Sequence, residues 1–456
     1  MDRPLSPRQI VRSGLCIGCG SCASANPGAE MKWDRFGQLK PSGPSQWYWT
    51  PTLEFARLCP FSPAAENEDQ IAARQFSQAP LYDTNVGRFT GAYVGHVAEA
   101  EYRHSGSSGG MTSWVAAELL RSGRVDAVAH VGTGEDRFFD YRISRSIEEI
   151  QGGAKSRYYP VELSGVIRAI RDTPGRYAVV GVPCFIKAVN LLRREDPLIA
   201  ERVTHTLGLF CGHMKSAHMV ESFAWQLGAD PAAVQSVDFR TKDETRPANW
   251  YRAELGMAEG PSVAGDWWHF VDGDWGAGFF QNSACNACDD VVAETADISF
   301  GDAWLEPYSS DGRGTNVIVV RSAELHAMIE EARAEERLQL DPVDADFVRR
   351  TQDAGLRHRR EGLAYRLSHW SGGVKPVKRV APNAAGVPLR RRMVYRARRL
   401  VSAMSHRVFA LARRLNWPRL YIGWGRLALA VYQGITYSRG RWGRLFDRLL
   451  GAEPQR

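Results

Sequence analysis

Within seven residues near the start of the chain, Cys16-Ile-Gly-Cys19-Gly-Ser-Cys22, three thiols recur at every third position with small residues between them. Such a run has to be a tight loop that turns its sulfurs toward one centre, and the surrounding fold must enclose that centre. Cys59, followed at once by Pro60, offers a fourth corner 37 positions downstream. C-x2-C-x2-C with a remote Cys-Pro is a ligand pattern of iron–sulfur cubanes, and the long separation favours closure of the same cluster. Zinc is the alternative, although its sites usually pair two C-x2-C hairpins or add histidine. Cys16, Cys19, Cys22 and Cys59 are therefore read as ligands of one [4Fe–4S] cluster. Gly18, Gly20 and Ser21 let backbone amides approach its sulfides.

Four further cysteines remain. Cys184 closes an apolar strand in Gly181-Val-Pro-Cys184, and Cys211 closes the next in Leu209-Phe-Cys-Gly-His213. Neighbouring parallel strands bring such ends together at the carboxyl edge of a sheet, where ligands bind. Cys285-Asn-Ala-Cys288 adds a hairpin pair. On spacing alone, a second tetrathiolate site and a set of small buried thiols stay equally open.

Length and charge narrow the setting. With 456 residues, 44% hydrophobic and 24% charged, the chain is an ordinary globular sequence with room for two or three domains. Met1 to Ile10 lacks the apolar run of a secretory signal, so the thiols are expected in a reducing cytoplasm, where disulfides do not persist. The longest apolar stretch, Leu420–Tyr437, is interrupted by Gly423, Gly425, Arg426 and Gly434 and does not read as a membrane span. The overall net charge of +7 conceals a division. Pro388 to Arg456 holds sixteen Arg, no Lys and two acids, leaving the rest at a net −7. A uniformly basic nucleic-acid binder is disfavoured by that pattern.

Residues 1–85 read as a loop-rich, ferredoxin-like segment with helix capacity only at Glu66–Ala79. Strands at Tyr93–Val97, Asp126–Val131, Arg176–Val182 and Thr204–Cys211 then alternate with helices at Met111–Arg121, Val161–Asp172, Phe185–Arg194 and Ala217–Leu227. This predicts an α/β (α+β) core on a parallel or mixed sheet. Strands at Val237–Arg240, Trp267–Val271, Asp297–Phe300 and Val317–Arg321 and a helix at Ala323–Leu338 follow. The core divides into regions 86–175 and 176–370; 371–388 reads as a linker and 389–456 as a basic helical tail.

Ser107-Ser-Gly-Gly-Met-Thr112 opens a helix, whose N-terminal amides can face an anion such as a pyrophosphate. Gly152-Gly-Ala-Lys155-Ser-Arg157-Tyr158-Tyr159 adds two cations and two aromatics suited to phosphate pairing and ring stacking; a solvated charged loop is the alternative.

In order, C-x2-C-x2-C…C-P, S-S-G-G, K-S-R-Y, G-V-P-C, L-F-C-G-H, V-D-F-R, C-x2-C and A-D-I-S-F-G-D-A-W resemble the family of coenzyme F-420 hydrogenase and dehydrogenase beta subunits. Relatives of that family include 7-hydroxymethyl chlorophyll and divinyl chlorophyllide reductases. The resemblance spans residues 10–370 and implies FAD, [4Fe–4S] clusters and an α/β core of the family's own type. It implies that Cys16, Cys19, Cys22 and Cys59 hold the ferredoxin-like cluster, and that Cys184, Cys211, Cys285 and Cys288 hold a second. Ser108, Gly109, Gly110 and Met111 fall on the loop expected at the flavin, flanked by Ser107 and Thr112. Lys155, Ser156 and Tyr158, with Arg157, fall on a turn near it. Asp297, Gly301, Asp302 and Trp304 fall on a late strand motif packed against a cluster. Phe185 stands where the family's common G-T-P-C-Q carries Gln.

The activity implied is that of an oxidoreductase. It would pass electrons from a ferredoxin-like or deazaflavin donor through the clusters to FAD and an unidentified organic substrate, polysaccharide- or lipid-related if the enzyme works at a membrane. A non-catalytic electron-transfer subunit of a larger redox complex is the alternative. His213, Tyr158 and Lys155 are the candidate proton donors, since imidazole, phenol and ammonium can each supply a proton.

In the tail, Met393, Ala397, Leu400, Val401, Met404, Val408, Leu411, Ala412 and Leu415 form one apolar helical stripe, with most Arg off it. Trp417, Tyr421, Trp424, Tyr432, Tyr437 and Trp442 follow. A basic amphipathic helix with interfacial aromatics suits the anionic inner face of a membrane. Docking on the acidic core and a disordered extension are the alternatives.

Overall fold

The computed structural model describes residues 3–99 and 101–450. Its centre is an eight-stranded sheet of β1 (Gly91–Val97), β2 (Ala127–Thr133), β3 (Phe139–Ser144), β4 (Tyr177–Gly181), β5 (Val203–Leu209), β6 (Ile298–Asp302), β7 (Asn316–Val320) and β8 (Leu338–Pro342), in the order β8-β1-β7-β6-β5-β4-β2-β3. β2, β4, β5 and β6 run parallel, β3 pairs antiparallel with β2, and β7, β1 and β8 continue the other side in alternating directions.

The central strands lack polar alternation because both faces are covered. Tyr177 and Val179 of β4 pack with Ile167 of α2 (Ser164–Asp172) and Val189 of α3 (Pro183–Glu195). Ala178 and Val180 face the opposite layer, with Trp114 of α1 (Met111–Arg121) and Ile329 of α5 (Ala323–Ala334). The α4 helix (His218–Gln226) follows β5. This is the mixed α/β architecture that the alternation of elements predicts.

Sequence periodicity passed over β3, β8 and the strands Arg252–Met257 and Val263–Asp266, which join Val234–Asp238 in a separate three-stranded sheet. Two expected elements differ. Trp267–Val271 is not a strand; it opens as a 3-10 turn over Trp267–His269, held by the Trp267 indole N–H donating to the Phe239 carbonyl at 3.0 Å. The helix expected to reach Leu338 stops at Ala334, because Glu336 takes a left-handed φ of 59° and turns the chain into β8.

The N-terminal segment carries the expected helix at Glu68–Gln75. It also has short capped helices at Pro7–Arg12 and Leu53–Leu58 that its sequence did not announce, and a hairpin of Glu30–Trp33 with Leu39–Ser42. It shares the main core: Leu5, Ile10, Phe55 and Phe61 belong to the same apolar cluster as Val166 and Phe185.

Residues 371–388 contain no helix or strand, yet they are not a free spacer. Lys378 meets the buried Asp289 at 3.2 Å, and Arg379 forks onto Glu294 at 2.6 and 2.8 Å. The tail then forms α6 (Leu389–Arg414), α7 (Pro418–Tyr437) and α8 (Gly440–Leu450). Of the readings open for it, docking on the core is what the structure has. Val401, Phe409, Ala412, Tyr421, Tyr432 and Ile435 join the main core, the Tyr421 hydroxyl donates to Asp272 at 3.0 Å, and Arg413 pairs with Glu221 at 2.9 Å. The stripe read from sequence is thereby split: Val401 and Ala412 face inward, while Leu400, Leu411 and Leu415 stay exposed. Among the described residues no helix is long and apolar enough to cross a membrane.

Candidate functional site

Cys16, Cys19, Cys22 and Cys59 line one cavity whose other walls include Pro7, Ile10, Leu15, Phe55 and Phe61. The loop depends on its glycines. Gly18 (φ +84°) and Gly20 (φ +80°) take left-handed conformations, and a Cβ would come within 2.6 Å of the Leu39 carbonyl at Gly18 and 2.9 Å of the Ser164 amide at Gly20. The amide of Leu163, just before α2, donates to the Cys19 carbonyl at 2.9 Å, and Lys40 donates to that of Cys16 at 2.7 Å. Burial pushes the Cys59 thiol up to about 12 and raises Cys19 and Cys22 well above the ordinary thiol range, with the neighbouring thiols adding to the effect. Bound metal reverses that balance by favouring the thiolate. Among the described residues no three Cys, His, Asp or Glu side chains gather as a single-ion site; the N-terminal four surround a cavity rather than a point. Four thiols around a cavity with apolar walls fit a four-iron cluster.

β4 and β5 pair in parallel with Gly181 beside Gly208, so their carboxyl ends deliver Cys184 and Cys211 to the same edge. Cys285 lies within a 3-10 turn over Ser283–Ala287 and Cys288 caps it, at the same place, and the Met214 amide donates to Cys285 Sγ at 3.3 Å. Burial raises Cys184, Cys211 and Cys285, the last to about 11; the other cysteines of the set raise Cys184 and Cys211 further. Cys19 also raises Cys184, so the two sets are electrostatic neighbours. A buried guanidinium, Arg359, donates to the carbonyls of Cys211 (2.9 Å), Gly212 (2.7 Å) and Asp290 (2.9 Å). That fixed positive charge suits a net-negative tetrathiolate cluster.

An aromatic cage lies beside this second set. His213 stacks on Trp275 with centroids 4.4 Å apart, and Tyr158 contacts Trp275 (4.9 Å), Trp267 (5.6 Å) and Phe239 (5.7 Å). Cations surround it. Arg240 lies over Tyr251 and pairs with Asp302 at 2.9 Å; Lys155 pairs with Asp238 at 3.3 Å. Lys242 donates to the carbonyls of Ser108 (3.1 Å), Arg313 (2.7 Å) and Arg103, and burial lowers it to about 8 with help from Lys155, Arg103 and Arg240. Lys155, a non-glycine residue at φ +94°, holds a conformation that costs of order 1–3 kcal/mol and concentrates at binding sites. Two buried polar atoms here have no protein partner, Thr241 Oγ1 and His213 Nε2. Flat rings, cations and orphaned polar atoms fit a flavin nucleotide.

The predicted loops meet at this place. Ser107 Oγ accepts from the Ser156 amide at 2.8 Å, joining the 107–112 and 155–158 runs, and Ser108 Oγ donates to the Thr315 carbonyl at 3.0 Å. The glycines serve chain packing. A Cβ at Gly109 would strike the Gly95 carbonyl and Asn316, and one at Gly110 the Tyr102 backbone; the Met111 amide already donates to Asn316 Oδ1 at 3.2 Å. Burial raises the Tyr158 phenol and holds the His213 imidazole well below its ordinary range, helped by Lys215, Arg398 and Arg359. Phe185 is a core residue, stacked 6.1 Å from Tyr141. Trp267, Trp275, Lys242 and Arg398 were not singled out from sequence as site residues; for the two tryptophans the chain's 14 Trp were a general signal only. A cleft of about 830 Å³ beside β1 and β8 is lined by none of the candidate residues, although its Thr315 and Arg103 carbonyls accept from Ser108 and Lys242.

A mixed sheet whose parallel strand ends carry paired thiols beside an aromatic, cationic cage defines a redox protein. Which one follows from its relatives. Residues 92–168 match the N-terminal part, and residues 175–346 the C terminus, of the coenzyme F420 hydrogenase/dehydrogenase beta subunit. The chain belongs to that family. It is 22% identical over 218 residues to the F subunit of the F(420)H(2) dehydrogenase of Methanosarcina mazei, covering 46% of this chain and 56% of that protein. It is 22% identical over 385 residues to the coenzyme F420-dependent sulfite reductase of Methanocaldococcus jannaschii, covering 80% of this chain and 54% of that one. The chain thus spans little more than half the length of these two relatives. A chain from the F420-reducing [NiFe] hydrogenase complex of Methanosarcina barkeri shares the fold at TM-score 0.50 and 17% identity, covering 65% of this chain and 99% of that one.

Proposed function

We propose that this protein is an iron–sulfur flavoprotein oxidoreductase that takes electrons from a ferredoxin-like or deazaflavin donor and delivers them to an organic substrate. Cys16, Cys19, Cys22 and Cys59 would hold one [4Fe–4S] cluster, and Cys184, Cys211, Cys285 and Cys288 a second. Ser107, Ser108, Gly109, Gly110, Met111, Thr112, Lys155, Ser156, Arg157, Tyr158 and Asp302 would surround FAD. Once bound, clusters supply single-electron transfer and a flavin joins it to two-electron chemistry. The observation that carries the reading is contiguity: the two thiol sets are neighbours, and the second adjoins the His213–Trp275–Tyr158 stack.

The chain's own residues divide the work. The apolar walls around Cys16 exclude water, Lys242 ties three loop carbonyls into one frame, and Arg240 with Asp302 braces the cage floor. Of the three candidate proton donors, His213, Lys155 and Tyr158, the last two would hold or release a proton at the cage.

Anaerobic purification tests this. About eight iron atoms per chain (two four-iron clusters) together with one flavin sustain the reading; a colourless preparation, or zinc without flavin, ends it. The alternative, an electron-transfer subunit that performs no turnover alone, is favoured by relatives that are named as a subunit or part of a complex. Turnover of a small substrate by the isolated chain with a reduced ferredoxin or deazaflavin separates the two.

The outward face of the tail supports peripheral attachment at the inner face of a membrane. Leu400, Leu411, Leu415, Trp417, Leu427, Leu445 and Leu449 are exposed there among exposed Arg399, Arg407, Arg414, Arg426, Arg444 and Arg448. A substrate presented at a lipid surface would suit that placement.

A further inference from the structure

We propose that His213 is a fixed hydrogen-bond donor to the bound redox group, and that Arg398, from the tail outside the matched family segments, is the positioning residue that fixes it. The inference rests on the cofactor reading above. Arg398 is buried at 8% exposure, and its Nη2 lies 3.3 Å from His213 Nδ1 and 3.1 Å from Gln281 Oε1. A guanidinium has donors only. His213 Nδ1 must therefore accept, which leaves the ring proton on Nε2.

That Nε2–H is buried in a residue 4% exposed and has no protein acceptor. A buried donor left unmade costs about 1–3 kcal/mol, so an acceptor from outside the chain is called for. The ring's place limits what that acceptor is. His213 follows Cys211 by two residues, the next residue's amide donates to Cys285 Sγ, and the ring lies flat on Trp275 of the cage. An electron-rich atom on a group seated between the second thiol set and the cage meets these conditions, either a cluster sulfide or a flavin ring oxygen or nitrogen. Donors to such atoms stabilise the reduced, more negative state and so raise the potential.

The tail contributes more than this contact. Ser402 Oγ donates to the Gln281 carbonyl at 3.0 Å, and the Phe280 amide donates to Ser405 Oγ at 2.9 Å, so the loop leading to Cys285 is pinned by the same helix that carries Arg398.

The test is redox titration of the anaerobically loaded full chain, following cluster signals by electron paramagnetic resonance and flavin by absorbance. His213→Phe keeps the flat ring on Trp275 and removes the donor. Iron and flavin contents should stay at wild-type levels while one centre moves to more negative potential; the centre that moves identifies the acceptor. Arg398→Met should move the same centre, and the double variant should move it no further than His213→Phe alone. Normal loading with neither potential displaced overturns the inference and leaves the proposed function intact. If His213→Phe does not load, His213→Gln, which retains a terminal N–H, decides. Loading at the wild-type potential sustains the donor role, and failure to load assigns the ring to packing alone and overturns it.

Discussion

Arg379→Met should be among the most damaging single changes outside the thiols. The guanidinium forks onto Glu294, which is 1% exposed, at 2.6 and 2.8 Å, and also meets Asp289 at 3.4 Å. Glu68 and Lys187, both buried, complete the network at 3.1 Å, and Lys378 pairs with Asp289. Glu294, Asp289 and Glu68 thus face Arg379, Lys378 and Lys187, with Arg360 farther off at 3.6 Å from Glu294, and the substitution removes the cation that makes the short contacts to Glu294. At an effective dielectric near 20 a unit pair about 4 Å apart is worth about 4 kcal/mol. Breaking a buried pair by deleting one partner costs about 3–5 kcal/mol. With a urea m-value of about 3 kcal/mol/M, the unfolding midpoint should fall by more than about 1 M. Arg379→Met/Glu294→Gln should recover part of the loss, because the stranded charge is gone. Arg313→Met, which removes the exposed partner of Asp311, is the control and should cost under about 1 kcal/mol. A midpoint shift for Arg379→Met no larger than the control's would refute the claim that residues 371–388 are locked to the core by buried charge.

Cys19→Ser should remove the N-terminal cluster and about half the iron (four of eight atoms) while the second set's signal persists; unchanged iron content and spectrum contradict the ligand assignment. Glu99 is held at about 2, chiefly by hydrogen bonding to Arg337 and then Trp114. A carboxyl depressed by folding contributes stability that is complete above its unfolded value near 4.3 and is lost as pH falls toward 2. Glu99→Gln should therefore flatten the acid limb of a stability–pH curve between about 4.5 and 2, and a limb that keeps its slope would exclude the pair as its source. Tyr421→Phe should cost about 1 kcal/mol by removing one of the hydrogen bonds to the buried Asp272, which keeps those from Ser222 and Gln226; a neutral result in urea unfolding would mean that this contact does not couple the tail to the core. Leu411→Glu/Leu415→Glu should reduce salt-sensitive flotation with anionic vesicles without lowering the unfolding midpoint, and unchanged flotation removes the membrane proposal.

Much of the fold was legible because burial on both faces writes itself into composition. Tyr177-Ala-Val-Val-Gly181 has no polar residue, and Met111–Arg121 has helical spacing behind a glycine turn, so each element is recoverable from its own residues. The strands of the main sheet that were missed, β3 and β8, lie at its two edges, and β8 is only five residues long and follows directly on the apolar period of α5. The end of α5 was misplaced because a single left-handed residue, Glu336, outweighs a continuing apolar period.

The sequence by itself indicated that a loop near residue 16 must enclose a centre and that apolar strands precede Cys184 and Cys211, since spacing and apolar runs are local properties; in the structure Cys184 lies in the first turn of α3, just past β4, and Cys211 two residues past β5. Only the tertiary structure decided that Cys285 and Cys288 reach that same edge, that Trp267 and Trp275 wall the cage, and that the basic tail lies on the core with Arg398 against His213. These are contacts between residues tens to hundreds of positions apart. No local periodicity encodes them; burial of Phe409 and Tyr421 in the main apolar cluster seats the tail so that Arg398 lies against His213.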